Sequence, residues 1–284
     1  MAWHVDGRSR GFPERSADAW SEQEFEERLV ETIVRAGLPL RTGYGFPDLS
    51  PEQGRLYHAT FMKYFSFFAW KFPSWLMAVA SRCPYQDVRR TIIEDCVDEE
   101  VSDVDAGGRC HIDVLYDEAE ACGMPREEIV TAEATPVLLA CIHGLENLAT
   151  SLAWEGSFAA MAGLEIGSSA PAVKLRNEIL AAEFPPEQIA HARSSRESKS
   201  LSERTGVAKE SLVFAELHAY KDQFHGGGEL AMLLKYGKTL ETQQLMLWAS
   251  KSSISIFCVM REEIDRLARA SVGLPPGETI QKSA

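Results

Sequence analysis

His218, Asp222 and His225 stand in the run Phe214-Ala215-Glu216-Leu217-His218-Ala219-Tyr220-Lys221-Asp222-Gln223-Phe224-His225. Spacings of four and seven residues bring side chains to one face of a helix at successive turns. Two imidazoles and one carboxylate on a shared face are a donor set for borderline metals such as iron, manganese or zinc. A polar stripe turned to water, or a satisfied core histidine, produces the same pattern. What separates these readings is whether other carboxylates and imidazoles lie on helices that face this one.

Such residues occur in two further segments. Residues 94–111 read EDCVDEEVSDVDAGGRCH, offering Glu94, Glu99 and Glu100 on a helix over 84–101 and His111 at the start of the next helix. Glu165 lies in the small, apolar run AAMAGLEIGSSA. A carboxylate buried there is unfavourable unless paired or metal-bound, and otherwise it marks the solvent edge of an amphipathic helix. Bundle proteins build carboxylate and histidine di-metal sites from facing core helices, and three separated segments supply those parts here.

The elements that must position these residues are helical. Residues 22–37 set Phe25, Leu29, Ile33 and Val34 on one face and reach Gly37, which reads as a C-cap. A loop at Gly43, Gly45 and Pro47 precedes Ser50-Pro51-Glu52-Gln53, a capped helix start. That helix is expected to kink or end at Pro73. Further helices are expected over 84–101, 111–123, 135–152 and 153–182, the last bent at Pro171, then over 208–225, with residues 229–269 forming one or two long helices. Gly226-Gly227-Gly228 cost a helix roughly 2–3 kcal/mol relative to alanine, so a break is expected there. No strand-like alternation exceeds four residues, so the fold class is all-α. The expected organisation is a flexible N-terminal extension over 1–20, one helical domain over 21–270 with a mobile loop at 192–207, and a tail over 271–284.

Composition excludes several function classes. Apolar residues make up 45% and charged residues 25% of 284, proportions that rule out a disordered or collagen-like chain. Lys plus Arg is 29 against 42 Asp plus Glu, a net charge of −13 that repels phosphate backbones and anionic lipids. Neither nucleic acid nor a membrane is therefore expected as a partner. The six cysteines contain no CxxC pair and do not read as a disulfide framework, which suits a reducing cytoplasm. The greasiest stretch, residues 61–80, is interrupted by Lys63, Lys71 and Pro73 and reads as buried core.

In this light the chain resembles the heme-oxygenase-like di-iron oxidases, all-α relatives of heme oxygenase and of the thiaminase (TenA) and pyrroloquinoline-quinone synthase folds. The resemblance covers roughly residues 50–265. It rests on Asp98-Glu99 at a helix end, on His111-Ile112-Asp113-Val114-Leu115 with Gly123 after it, on the Phe72-Pro73-Ser74-Trp75-Leu76 stretch, on the mid-chain Glu165 and on HxxxDxxH. It implies a bundle of about seven core helices plus an N-terminal extension. Carried over by position, it implies Glu99, His111, Glu165, His218, Asp222 and His225 as ligands of two iron(II) ions, with dioxygen as co-substrate. The loop before His111 is longer than the family pattern, which keeps Glu100 as a rival to Glu99. Leu164 stands where one branch of the family has a tyrosine that it sacrifices, so that activity is not carried over.

The resemblance implies an oxygenase for a small amino-acid-like or amine substrate in specialised metabolism, with N-oxygenation favoured. Oxidative C–C cleavage, or decarboxylation of an amino or fatty acid, is the alternative. An external electron donor and a homodimer are compatible with it. Phe68, Leu164 and Phe214, with Phe65, Phe67 and Trp70, are candidates for an apolar substrate wall. Lys221, like Lys63, Lys71 and Arg82, either meets a substrate carboxylate or pairs with the excess acid. Three rival classes remain. A heme oxygenase would use His58 as proximal ligand, a TenA-like hydrolase would use Cys141 near His143 and Glu146, and a helical binding protein would need no metal.

Overall fold

In the computed structural model, which describes residues 13–43, 46–184 and 200–277, every regular element is helical. Within those ranges the side chains of residues 39–43, 216, 219, 220 and 222–225 fall outside the description. The elements are α1 (Glu22–Gly43), α2 (Pro51–Arg82), α3 (Gln86–Glu100), α4 (His111–Ala121), α5 (Arg126–Val130), α6 (Pro136–Ser151), α7 (Trp154–Ile166) and α8 (Ala170–Glu183), then α9 (Leu201–Thr205), α10 (Val213–Tyr236) and α11 (Leu240–Ser271). A single antiparallel bridge, Asp103 to Arg109, lies in the α3–α4 loop. The all-α expectation is met.

Helix α7 is the centre. Residues Gly156 to Gly163 and Ile166 are all buried, so this helix is apolar around its whole circumference. Such a helix belongs in the middle of a bundle. It packs most extensively against α11 and α10, with α6 and α2 also touching it. Glu165 sits in its last turn, where the apolar run ends.

Four local expectations are corrected, each by tertiary packing. Helix α1 continues through Gly37 and keeps Leu38 buried. Helix α2 begins as expected, with Ser50 and Gln53 forming a capping box, but does not end at Pro73 and continues to Arg82. An interior proline costs a helix about 3 kcal/mol. Burying Trp75, Leu76 and Val79 in the following turn outweighs that, at about 1.5–3 kcal/mol for each large apolar side chain. Residues 153–182 form two helices rather than one bent helix, because Ser169 starts α8 and Pro171 occupies its first turn. The expected mobile loop is partly outside the described residues, which resume at Ser200 with a second capping box on Glu203.

The fourth correction concerns Gly226-Gly227-Gly228, through which α10 passes unbroken. Buried Leu230, Leu233 and Tyr236 beyond the glycines hold the helix against the core. Gly226 also has a specific reason to lack a side chain. A Cβ there would stand 2.8 Å from the Glu165 carbonyl oxygen and 2.9 Å from the Ile166 Cα. The backbones of α10 and α7 thus meet directly beside Glu165. Gly227 and Gly228 face open space.

The three glycines should therefore respond in opposite directions. Gly227→Ala and Gly228→Ala should each raise stability by about 0.5–1 kcal/mol through helix propensity. Gly226→Ala should lower it by about 1–3 kcal/mol through overpacking against backbone that cannot yield. Denaturant unfolding monitored by circular dichroism distinguishes the two.

Candidate metal centre

Three elements bring the site together: the C-terminal end of α3, the N-terminal residue of α4, and the first half of α10. Donor atoms of Glu99, His111 and His218 all lie within 4.8 Å of one another. Glu99, rather than Glu100, turns inward, since consecutive helical residues point about 100° apart and Glu100 is exposed. Glu94 is exposed as well.

The long α3–α4 loop reverses the chain so that His111 returns beside Glu99. The Asp103 amide donates to the Arg109 carbonyl (2.9 Å), and the Gly108 amide donates back to the Asp103 carbonyl (2.7 Å). Gly107 and Gly108 adopt φ of 70° and 81°, a left-handed pair that glycine accommodates without strain. Asp103 Oδ1 accepts from the Asp105 amide at 2.8 Å. The turn thereby fixes a fully buried aspartate beneath His111.

The two imidazoles are held by their outward nitrogens. His111 Nε2 donates to Asp103 Oδ2 at 2.9 Å. Its buried Nδ1 lies 3.0 Å from Glu99 Oε1 without hydrogen-bond geometry. His218 Nδ1 donates to the Phe214 carbonyl at 2.9 Å, which leaves Nε2 free to act as a donor atom. The rings meet edge to face with centroids 4.8 Å apart. Fixing the distal nitrogen of a metal-binding histidine in this way orients the ring and selects its tautomer.

Electrostatics distinguishes the two histidines. Burial would depress the His111 pKa, but Glu99 and Asp103 outweigh it and push it up to about 8. Burial dominates at His218 and lowers its pKa, opposed by the negative charges of Glu99 and Glu165. Glu99 and Glu165 each occupy the last turn of a helix. The helix dipole disfavours anions there and favours cations. One carboxylate at a helix C-terminus, Glu99, beside two imidazoles with inward-facing nitrogens fits a divalent cation, and the charge of Glu165 at the end of α7 adds to the same preference.

The remaining expected ligands are distributed as follows. Glu165 lies in the last turn of α7, outside the converging trio of Glu99, His111 and His218 but near enough for its charge to act on His218, and its backbone abuts Gly226, the residue after His225. Asp222 and His225 fall one and two turns after His218 on the unbroken α10, and their side chains lie outside the described residues.

The pocket candidates divide. The Phe214 ring lies tilted against His218 with centroids 4.1 Å apart and meets Phe65 edge-on at 6.1 Å. Phe68 is buried among Phe65, Phe72, Trp75 and Phe257, and Leu164 packs partly buried at the core edge. Trp70 is 62% exposed and is not part of an internal wall. Arg82 donates to the carbonyls of Ala149, Thr150 and Leu152, closing the end of α6, and Lys71 pairs with Glu146. Lys221 Nζ lies 2.9 Å from Asp98, 3.0 Å from Asp103 and 3.1 Å from Asp105, so it pairs with acid.

The residues that two rival readings would use are placed as follows. His58 Nε2, the proximal ligand a heme oxygenase would need, is 2.6 Å from Glu118 Oε1, with both side chains buried. Cys141 is buried in the core, which raises its pKa, while His143 points to solvent. A thiol so placed is not an activated nucleophile.

Sequence reasoning missed Asp103 and the His58–Glu118 pair. The Asp-x-Asp-x-Gly-Gly pattern of the loop marks an aspartate-capped turn, but only the fold shows what the free carboxylate oxygens meet. Glu118 also accepts from the Ala215 amide at 3.2 Å, capping the start of the helix that carries His218. Glu118→Ala should destabilise the protein by about 2–4 kcal/mol, since it strands a buried imidazole and uncaps α10. Glu118→Gln should cost less than half of that. Thermal and denaturant unfolding of both variants checks the ranking.

Comparison with known proteins places the fold and the family. Among solved structures, a TenA homolog from Pseudomonas syringae pv. tomato str. DC3000 superposes with a TM-score of 0.58 at 13% identity, covering 89% of this chain and 99% of that one. A domain of unknown function with a heme oxygenase-like fold from Shewanella denitrificans OS217 gives a TM-score of 0.55 at 11% identity, covering 86% and 89%. At such identities the likeness establishes a shared heme-oxygenase-like fold. No curated protein sequence matches the chain. The model of a family described as iron-containing redox enzymes matches residues 59–254, from α2 into α11 and across every candidate ligand. The chain belongs to that family of iron-containing redox enzymes.

Proposed function

We propose that the chain is a non-heme di-iron oxygenase that uses dioxygen to oxidise a small amine or amino-acid-like substrate, with N-oxygenation as the favoured outcome. The observation that carries this reading is the convergence of Glu99, His111 and His218 with both distal imidazole nitrogens already engaged. Glu165, Asp222 and His225 complete the proposed set, so that three carboxylates and three imidazoles hold the iron. With iron bound, the site gains the redox chemistry that activation of dioxygen requires.

The chain's own residues account for the rest. Asp103 and the Phe214 carbonyl keep the imidazoles in the tautomers that turn a lone pair inward. Phe214 and the aromatic row on α2 exclude water from the His218 side. Asp98 and Asp105 surround Lys221 at the edge of the site. With Lys221 engaged by acid, this cation does not favour a substrate carboxylate. An acidic surround attracts a cationic amine instead, which favours an amine over a carboxylic acid as substrate, and the bound ammonium must give up a proton before its nitrogen can be oxygenated.

Anaerobic loading with ferrous iron followed by metal analysis tests the reading. The expected result is two irons per chain, dioxygen uptake on addition of air, and turnover of amines in preference to carboxylic acids. His218→Ala and Glu99→Ala should each abolish at least one equivalent of bound iron. Absence of retained iron after loading, or iron content unchanged in His218→Ala, would overturn it.

A further inference from the structure

Lys221 stands inside the HxxxDxxH run, between His218 and Asp222, yet it faces away from any ligand role. Its ammonium sits among Asp98, Asp103 and Asp105, all contributed by the end of α3 and the loop that follows. Asp103 links this cation to His111. One of its oxygens lies 3.0 Å from Lys221 Nζ, and the other accepts the His111 Nε2–H at 2.9 Å. The aspartate is fully buried and the imidazole 2% exposed. An anion at that depth needs its partners, because an unpaired buried charge is strongly unfavourable.

We infer that Asp103 and Lys221 are positioning residues that join the two halves of the metal centre: Asp103 sets the tautomer and direction of His111, and Lys221, fixed to the His218 helix, holds Asp103 in place. This deepens the di-iron reading and rests on it. Two consequences follow from the connectivity. The loop between Glu99 and His111 and the helix carrying His218 are docked to each other by a charge contact that contains no ligand. The three aspartates are also unequal among the described residues, since the Asp103 carboxylate touches His111, whereas the carboxylates of Asp98 and Asp105 meet Lys221 and not His111. A purely structural latch would treat the three alike.

The test uses cobalt(II) as a spectroscopic stand-in for iron in the full chain. Affinity is measured by competition with a chromophoric chelator, alongside unfolding midpoints. Asp103→Ala should weaken cobalt binding by about 10–100-fold, the range for loss of a partner to a ligand histidine. Asp103→Asn, which keeps an acceptor but loses the charge, should fall at the low end of that range. Lys221→Met should weaken binding about 10-fold, and Lys221→Arg should restore most of the loss. Asp105→Asn is the control, expected to lower the unfolding midpoint slightly while leaving affinity within a factor of about two.

A second readout does not depend on metal. Nitrogen-15-edited spectra of the metal-free chain should contain a solvent-protected His111 Nε2–H that persists in Asp105→Asn and disappears in Asp103→Ala. Equal losses of affinity in Asp103→Asn and Asp105→Asn would overturn the inference, as would unchanged affinity in a folded Asp103→Ala. Cobalt binding by the wild-type chain that is insensitive to His218→Ala would defeat the di-iron reading. In that case the protected Nε2–H still reports whether Asp103 fixes the ring.

Discussion

His111 is a buried imidazole with a carboxylate on each side: Asp103 at Nε2, and Glu99 facing Nδ1 without a hydrogen bond between them. Burial disfavours charge, and the two anions favour it. This conflict is resolved only if a positive charge, a proton or a metal, stands between Glu99 and Nδ1. Much of the bundle can be understood from that requirement. The α3–α4 loop exists to return His111 to Glu99, α7 ends in a carboxylate where its dipole would prefer a cation, and α10 brings His218 against His111 edge to face.

Charge is handled in layers around this point. The innermost groups are the converging donors. Outside them, Asp103 and the Phe214 carbonyl engage the distal nitrogens, and Lys221 neutralises Asp103. Farther out, the His58–Glu118 pair joins α2, α4 and the first turn of α10. Each layer satisfies groups that the one inside it would leave buried and unpaired, as an all-helical interior with so few polar atoms requires. The excess of thirteen negative charges is thus not only a surface property. Part of it lies in carboxylates that converge with, or steady, the candidate donor imidazoles.

Much of this was legible in the sequence. The helical class, the capped start at Ser50, the inward run around Glu165 and the one-face spacing of HxxxDxxH all follow from local rules. Where reading failed, it failed on local breakers. Pro73 and Gly226-Gly227-Gly228 weaken an isolated helix, but α2 and α10 are held by burial beyond the weak point. A few kcal/mol of backbone preference yields to the burial of several large side chains. Gly226 shows the opposite dependence: its lack of a side chain is a requirement of the helix it touches, far earlier in sequence, at Glu165 and Ile166.

By itself the sequence determined which residue types recur at helical spacing, and so the fold class and the set of imidazoles and carboxylates available for a metal. Tertiary structure alone decided among them. It turned Glu99 inward and Glu100 outward, assigned Lys221 to three aspartates, tied His58 to Glu118, and placed Asp103 beneath His111. The reason is one of range. Helical periodicity acts over a few residues and is written locally. The pairing of buried charges depends on distances between segments about a hundred residues apart, and the fold sets those distances.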